Sequence, residues 1–384
     1  MDDLAKYGIL FLLITLVAES RALDLSDINL VHQYDVESPL KFEFRVVEEE
    51  GHASVLYKIP NDTLSIWTFS ILGQKGYNSV SHDTLSLDHL DTLSYDDSGG
   101  IYRYSLLKNK YNLVLFTFTN LSLGISRVFD VSVVSPGGFP EFYPVNEAGL
   151  PQFKNFVTSN GVRFSTSDSV LHAYRYLDNY GPADPPMGEM SKLAPTLNID
   201  SSIFFSDQLI GLKDYHFYLF QDDTLKNNGV TLLKCPRYFP ELKKFNELIG
   251  PMRYITTTKE NQSLQQASDP RKAFESFWLE TYDTKFRAKS AISFFFRRVE
   301  EANVLFTDYK QGWKTDRGIL YIIYGLPNVV TRTDRTEIWK YGSGEEFEFI
   351  RFPTLFTSSL YSLRRDSKFE KSWYLKVGEI RKGP

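Results

Sequence analysis

The hydrophobic periodicity of this chain changes once, near residue 269, and that change constrains the fold class more than any other feature. Before it, short alternating or aromatic-rich runs predict strands at residues 41–47, 53–58, 64–69, 101–107 and 113–118. Phe, Tyr and Trp make up 15% of the chain, which favours strands with half-buried faces. Short strands separated by turn clusters, as at residues 96–100, are typical of a sandwich.

Helical spacing replaces strand spacing after Asp269, a residue suited to cap a helix, and Pro270, which suits its first turn. Apolar side chains then recur at steps of three and four. They are Ala273, Phe274, Phe277 and Trp278, followed by Ala288, Ile292, Phe295, Val299, Ala302 and Phe306. This pattern predicts helices over 269–281 and 284–306, with the aromatic stripe packed in a core rather than against a cofactor.

The last eighty residues return to strand-like runs at 320–324, 337–341 and 346–352. We therefore predict a multidomain α+β chain with β-sandwich-like N-terminal modules, a short helical segment and a C-terminal α+β module. A breaker cluster at 135–140 marks the first domain boundary. The predicted division is a signal peptide over 1–22, a β-sandwich-like domain over 23–135, a second β-rich domain over 136–247, a helical segment over 248–306 and the C-terminal module over 307–384.

The N-terminus predicts export. An apolar run over residues 7–18 is short for a membrane span, and Ser20 and Ala22 supply the small residues of a cleavage site. The positive charge expected before the run is weak, since Lys6 follows Asp2 and Asp3. A buried N-terminal helix and an uncleaved anchor are the alternatives. No other stretch approaches 18 apolar residues, so we expect a mature chain without a transmembrane span.

Several classes of chemistry are disfavoured. The formal charge of −5 argues against nucleic acid as a partner. The single cysteine, Cys235, excludes an internal disulfide and is expected to be a buried apolar side chain. Phosphate-loop, dinucleotide, zinc-protease and nucleophile-elbow motifs are absent from the sequence. His82 and His89 have spacing that suits neither one helix face nor one strand face, so we expect no metal there and no cofactor.

The segment 311–318 is the densest unusual stretch of the chain. Gly312 and Gly318 would permit positive φ at each end of a tight turn. Trp313 can bury a large area, and Arg317 can pair with Asp316 or with another carboxylate. Two interpretations remain open: a buried turn joining the second helix to the strand at 320–324, or an exposed recognition surface.

Thr315 and Asp316 can both bind nearby backbone N–H groups and so fix that turn. The run Gly-Trp-Lys-Thr-Asp at 312–316 resembles the signature of the GWxTD-domain family, found mainly in Bacteroidota. Further similarity spans about 248–352 and includes Arg332 and Glu337, whereas Leu326 departs from the family's usual turn. The candidate interaction or motif residues are Gly312, Trp313, Thr315, Asp316, Arg317, Gly318, Tyr321, Tyr324 and Trp339.

The resemblance implies an exported envelope protein and supplies neither a reaction nor catalytic residues. We expect a non-enzymatic interaction or scaffold protein, periplasmic or associated with the outer membrane, that assists outer-membrane assembly or secretion. Its partner would be an envelope or outer-membrane protein. Residues 23–100 carry 14 acidic and 4 basic side chains, whereas residues 301–384 carry 11 acidic and 14 basic side chains. This charge asymmetry suits docking to a partner protein.

Two other functions stay open. One is a glycan- or peptidoglycan-binding module, which burial of Trp313, Trp339 and Trp373 would disfavour. The other is a carboxylate-dependent envelope hydrolase. It requires two acidic side chains that converge in a cleft, one of them with a raised pKa.

Overall fold

A computed structural model of the chain describes residues 23–49, 51–60, 66–96, 99–167, 170–177, 180–188, 199–205 and 209–383. The predicted signal peptide over 1–22 lies outside these residues. Antiparallel sheets fill the N-terminal part and helices concentrate in the C-terminal part, so the α+β multidomain prediction is confirmed. Within the described residues, no helix combines the length and apolarity needed to cross a bilayer.

Two four-stranded antiparallel sheets face each other in the first module, with strand orders β1-β2-β6-β5 and β4-β3-β7-β8. Their strands are β1 (Glu43–Glu49), β2 (His52–Ile59), β3 (Thr68–Gln74), β4 (Asp83–Thr84), β5 (Leu90–Asp96), β6 (Gly99–Leu107), β7 (Leu113–Asn120) and β8 (Ile125–Ser132). Alternate side chains of both sheets share one aromatic core that includes Tyr57, Phe116 and Phe129.

The second module has a five-stranded sheet of order β10-β16-β15-β12-β13 and a three-stranded sheet of order β14-β11-β9. Its strands are β9 (Tyr143–Val145), β10 (Phe156–Val157), β11 (Gly161–Ser165), β12 (Leu171–Leu177), β13 (Ile199–Phe205), β14 (Ile210–Gly211), β15 (His216–Gln221) and β16 (Val230–Lys234). Cys235 follows β16 and is buried among apolar side chains, as predicted.

The C-terminal module packs helices against an antiparallel meander of order β17-β18-β19-β20. The helices are α1 (Phe245–Met252), α2 (Thr258–Gln265), α3 (Pro270–Thr281), α4 (Lys285–Phe306), α5 (Asp316–Tyr324) and α6 (Glu370–Lys382). The strands are β17 (Val329–Arg332), β18 (Thr336–Lys340), β19 (Glu346–Thr354) and β20 (Thr357–Leu363). Phe295 and Val299 of α4 lie in the same core as Trp339 and Phe347 of the meander.

The N-terminal segment before β1 belongs to the C-terminal core rather than to the sandwich alone. Leu25, Leu30 and Tyr34 are buried in the same cluster as Trp339. The backbone N–H of Leu30 donates to the carbonyl of Val330 at 2.7 Å. Residues 23–34 thus run along β17, and this path brings the first and last modules of the chain together.

The helices predicted over 269–281 and 284–306 are confirmed as α3 and α4, and both begin at hydroxyl or carboxylate caps. The strand predicted at 320–324 is wrong, because these residues form the second half of α5. A short apolar run buried on all sides has neither period, so its pattern does not separate helix from strand. The start signals were present in Thr315 and Asp316, a cap and a first-turn carboxylate.

Helices α2 and α6 were not predicted. Helix α2 is short and polar, and its few apolar residues show no clear helical period. Helix α6 exposes the apolar side chains of Tyr374 and Leu375 to solvent. Their positions depend on packing. Arg381 of α6 forms two hydrogen bonds of 2.8 Å with the carboxylate of Glu260 in α2. Such a long-range pair has no signature in a local window of sequence.

Candidate functional site

The turn between α4 and α5 lies inside the C-terminal core. A 3₁₀ turn over Gly312–Lys314 carries Trp313, whose side chain is only 6% exposed. The indole Nε1 of Trp313 donates to Gln311 Oε1 at 2.6 Å, and its backbone N–H donates to Asn303 Oδ1 at 3.1 Å. Trp313 is therefore fully packed with its polar atom satisfied, in agreement with the interpretation of this segment as a buried turn.

Close backbone approach explains the two glycines of the turn. A Cβ on Gly312 would lie 1.9 Å from the carbonyl oxygen of Ala302, and a Cβ on Gly318 would lie 1.9 Å from that of Gly312. Neither glycine has a left-handed φ, so the prediction of positive φ at these positions is wrong. Any side chain here would collide with the main chain of α4 or of the turn itself.

Thr315 forms its hydrogen bond within the turn, whereas Asp316 bonds to residues that are distant in the sequence. Thr315 caps α5, because its Oγ1 accepts the backbone N–H of Gly318 at 3.0 Å, as predicted. Asp316 instead reaches outward to β20: its Oδ2 accepts the N–H of Leu363 at 2.8 Å, and its Oδ1 pairs with Arg365 at 2.6 Å. Asp316 thus pairs with Arg365 rather than with Arg317, and the carboxylate nearest to Arg317 is that of Glu337, the other alternative expected for it.

The remaining motif residues also belong to the core. Tyr321, Tyr324 and Trp339 are buried, and they surround the ring of Phe306 or the edge of the meander. The Tyr324 hydroxyl lies 3.0 Å from Ser372 Oγ. These three residues share the core cluster with Trp313 but do not form an exposed recognition surface.

A buried ionic network joins the sandwich to the C-terminal module. Arg332 of β17 donates from Nη1 to both carboxylate oxygens of Asp130 in β8, the longer contact being 2.7 Å. Its Nε and Nη2 donate to Glu337 Oε2 at 2.9 and 2.6 Å. All three side chains are almost fully withdrawn from solvent. Because the guanidinium bridges carboxylates of two modules, the network fixes how those modules meet.

Tyr34 completes the network from the N-terminal segment. Its hydroxyl donates to Glu337 Oε2 at 2.6 Å and accepts from Arg332 Nη2 at 2.8 Å. Burial alone would raise the pKa of Glu337 and Asp130, but the Arg332 guanidinium holds both values below their ordinary range. Both carboxylates are therefore ionised, and both are paired with Arg332.

A cavity of about 380 Å³ opens beside this network, where the three modules meet; we call it the junction cavity. Its charged lining consists of four arginines and two aspartates. These are Arg45, Arg317, Arg332, Arg351, Asp130 and Asp308. Arg332 is shared between Asp130 and Glu337, whereas the other three arginines of the lining meet one further carboxyl group, that of Asp308.

Arg317 is the one motif residue that faces the junction cavity. Its guanidinium stacks on the ring of Tyr361 at 3.5 Å, and its Nη1 donates to the hydroxyl of Tyr34 at 3.1 Å. The carboxylate of Glu337 is 3.9 Å away, a marginal ion pair. Stacking leaves the edges of the guanidinium plane, where its N–H groups point, free to bind.

Arg351 and Arg45 are held by neutral acceptors. Arg351 donates to the hydroxyl of Tyr77 and, at 3.0 Å, to Ser359 Oγ. Arg45 donates to the carbonyl of Gln152 at 3.0 Å, with longer contacts to the next residues of that segment. Burial lowers the pKa of Arg45 to about 10, the direction expected for a cation withdrawn from water.

Asp308, just after α4, is the unpaired carboxyl of the cavity. Its Oδ1 accepts from Asn155 Nδ2 at 3.2 Å. Burial raises its pKa to about 6, although Thr357, Arg317 and Arg45 act in the opposite direction. A carboxyl group that titrates near neutrality is the kind of group used in acid–base chemistry, and it also appears where charge is simply buried.

Sequence reasoning found Arg317 but missed Arg45, Arg351, Asp130 and Asp308. These residues come from β1, β19, β8 and the end of α4, so no local spacing connects them. One signal was available. Arg332 and Glu337 face each other across the hairpin of β17 and β18, and opposite charges flanking a four-residue turn predict such a cross-strand pair.

Comparison with protein families places a GWxTD domain on residues 216–382. The resemblance inferred from residues 248–352 is confirmed and extends at both ends, to β15 and β16 and through α6. A search of curated proteins gives no match. The domain therefore includes the whole motif turn, Arg332 and Glu337 of the network, and one wall of the junction cavity, whereas Asp130 and Tyr34 lie outside it.

Two solved structures with immunoglobulin-type components show weak similarity. A crystal structure of DIP-gamma IG1+IG2 is 8% identical and covers 51% of this chain and 98% of its own, with a TM-score of 0.15. A crystal structure of Dpr11 IG1 bound to DIP-gamma IG+IG2 is 11% identical, with coverages of 50% and 98% and the same TM-score. Similarity at this level carries no argument about fold or function.

Proposed function

We propose that this chain, which carries a GWxTD domain over residues 216–382, is a non-enzymatic interaction protein of the bacterial cell envelope. In this proposal it is exported through the segment 1–22, resides in the periplasm or at the outer membrane, and serves as a scaffold or accessory factor in outer-membrane assembly or secretion. Its partner is an envelope protein. The origin is a bacterium of the Bacteroidota type, as the resemblance implies.

The observation that carries this proposal is the use made of the buried charged groups. Arg332 pairs with Asp130 of the sandwich and with Glu337 of the C-terminal module, so these buried charges bind one another across two modules. Such a network holds separate modules in one arrangement, which is what a scaffold requires. Exposed apolar side chains on α6, Tyr374 and Leu375, supply a surface of the type that interfaces use.

Site-specific photo-crosslinking in living cells tests the proposal. A photoreactive phenylalanine analogue would replace Tyr374 on α6 or, in a matched variant, Tyr95 on the sandwich; the two side chains are 60% and 61% exposed. We expect the Tyr374 position to capture one envelope protein reproducibly, and mass spectrometry to identify it. The intact mass of the purified chain reports in the same samples whether residues 1–22 have been removed.

The proposal fails if both positions give no protein adduct in cells that express the chain at its native level. It also fails if the intact mass retains residues 1–22 and the chain fractionates away from the envelope. Capture from Tyr95 alone would keep the interaction role and move the partner to the sandwich.

A carboxylate-dependent hydrolase is the second candidate, favoured by one observation: Asp308, whose pKa is raised to about 6, shares a cavity with Asp130. Asp130 counts against it, because Arg332, Gln33 and Tyr77 occupy its oxygens. Release of reducing sugar from purified envelope polysaccharide, abolished by Asp308→Asn, would establish it. Glycan binding through tryptophan platforms is disfavoured, since Trp313, Trp339 and Trp373 are buried.

A further inference from the structure

We propose that the junction cavity is a binding site for a small anion that carries a carboxylate or phosphate group, held by Arg45, Arg317 and Arg351. This site goes beyond the scaffold role and does not rest on it. The ligand would enter where the three modules meet and would bind all of them at once.

The charge of the cavity is the first argument. With the adjoining network included, four guanidinium groups meet three carboxyl groups, those of Asp130, Asp308 and Glu337, which leaves an excess of positive charge. Among the described residues, Arg45 and Arg351 form no ion pair with any carboxylate, and Arg317 has only the marginal contact with Glu337. Arg45 shows the cost most clearly, because burial lowers its pKa to about 10, and an anionic ligand beside it would offset the loss of solvation.

The unused donors are the second argument. Among the residues that the structure describes, Arg317 donates one hydrogen bond, to Tyr34, and Arg351 donates from Nε and Nη1 only. Each guanidinium has five N–H groups arranged in a plane that matches the spacing of two carboxylate or phosphate oxygens. Tyr361 stacks on Arg317 and holds that plane in place, so the fork is positioned before any ligand arrives.

The dimensions of the cavity are the third argument. Its volume of about 380 Å³ is within the range of small-molecule sites and is too small for a folded partner. The lining is mostly polar, with backbone and hydroxyl groups of Ser135, Thr307 and Thr357 beside the arginines. This combination suits a compact organic acid or phosphate ester rather than an apolar compound.

Isothermal titration calorimetry of the full mature chain tests the site. The probes are sodium phosphate and sodium malonate, each titrated at constant ionic strength maintained with sodium chloride. Saturable binding of phosphate alone identifies a phosphate group as the ligand chemistry, and saturable binding of malonate alone identifies a carboxylate. Because sodium chloride keeps the ionic strength constant, a change in the screening of surface charges cannot be the source of the heat.

Arg351→Gln is the test variant, and Arg271→Gln is the matched control. The control removes the same charge from α3, where the side chain is exposed and does not line the cavity. We expect Arg351→Gln to weaken binding about tenfold or more, as loss of a charge-assisted hydrogen bond does, and Arg271→Gln to leave it unchanged.

Arg45→Gln provides a second test should the Arg351 variant fail to fold, because Arg45 is held by backbone carbonyls of one loop. The proposal is overturned if neither probe binds saturably to the wild-type chain at millimolar concentration. It is equally overturned if both cavity variants, checked for native folding by circular dichroism, bind as the wild type does.

Discussion

The motif turn and the junction cavity meet at the first turn of helix α5, where Arg317 lines the cavity, and they use polar residues in opposite ways. In the turn, Gln311, Asn303 and Thr315 accept N–H groups of Trp313 and Gly318, and two glycines allow main-chain atoms to approach closely. In the cavity, arginines with unused donors surround open space. The turn is closely packed with its polar atoms bonded internally, whereas the cavity keeps charge available.

This contrast shows what a family signature marks. The run at 312–316 identifies the domain because its packing tolerates little change, with a Cβ on Gly312 only 1.9 Å from a backbone oxygen. The groups able to bind a ligand all lie outside that run. The nearest of them is Arg317, one residue beyond its end. A signature of this kind therefore identifies the fold, and binding chemistry has to be sought where modules meet.

Trp313→Ala should break the turn and give the largest effect. Deleting a fully buried indole removes its packing and leaves a cavity, so we expect a destabilisation of about 3–5 kcal/mol. Thermal and urea unfolding of the variant measure it. Tyr374→Ala, at a side chain that is 60% exposed, is the control and should change stability by less than about 0.5 kcal/mol. Unchanged unfolding of the Trp313 variant would contradict the packing role.

Asp130→Ala should break the network beside the cavity. Arg332 would keep Glu337 but lose its partner on the sandwich, and a buried charge left partly uncompensated costs about 3 kcal/mol. We also expect the sandwich and the C-terminal module to unfold in separate steps, seen by differential scanning calorimetry. Asp283→Ala removes a surface ion pair in which the aspartate is 87% exposed, and should have almost no effect. A single, unshifted transition in the Asp130 variant would show that other contacts join the modules.

Asp308→Asn should change the free energy of unfolding least of the three substitutions, and it should raise this free energy rather than lower it. Because burial raises the pKa of Asp308 to about 6, the folded chain binds a proton there more tightly than the unfolded chain does. Ionised Asp308 thus reduces stability at pH 7, and the loss is relieved as the pH falls through about 6 towards the ordinary value near 4.

The neutral amide should therefore stabilise the chain at pH 7 by about 1–2 kcal/mol. This figure already includes a reduction for solvent screening, because the site is partly exposed. The advantage should shrink as the pH falls to about 4. Paired thermal unfolding of variant and wild type from pH 7.5 to 4.5 checks this. A variant that is less stable at pH 7 would mean that Arg45 and Arg317 already compensate the charge of Asp308.

Local sequence predicted the elements whose own residues carry a period or a cap. Helices α3 and α4 were predicted within one residue, because Asp269 and Thr284 are capping residues and an apolar stripe follows each. The same reasoning was wrong for residues 320–324, where burial on all sides erases the period. For the signature turn, the sequence left a buried turn and an exposed surface open, and it did not predict the close main-chain approach that requires the two glycines.

The sequence by itself determined the fold class, the family of the C-terminal domain and the burial of Cys235, since each depends on neighbouring residues or on apolar character, whereas it left the burial of Trp313 open. Tertiary structure alone decided where the charged groups meet. Asp130 and Arg332 are separated by about two hundred positions in the chain, and they meet because residues 23–34 run along β17 and the sandwich packs against the C-terminal module. Electrostatic pairing acts through space, so its partners leave no trace in local spacing.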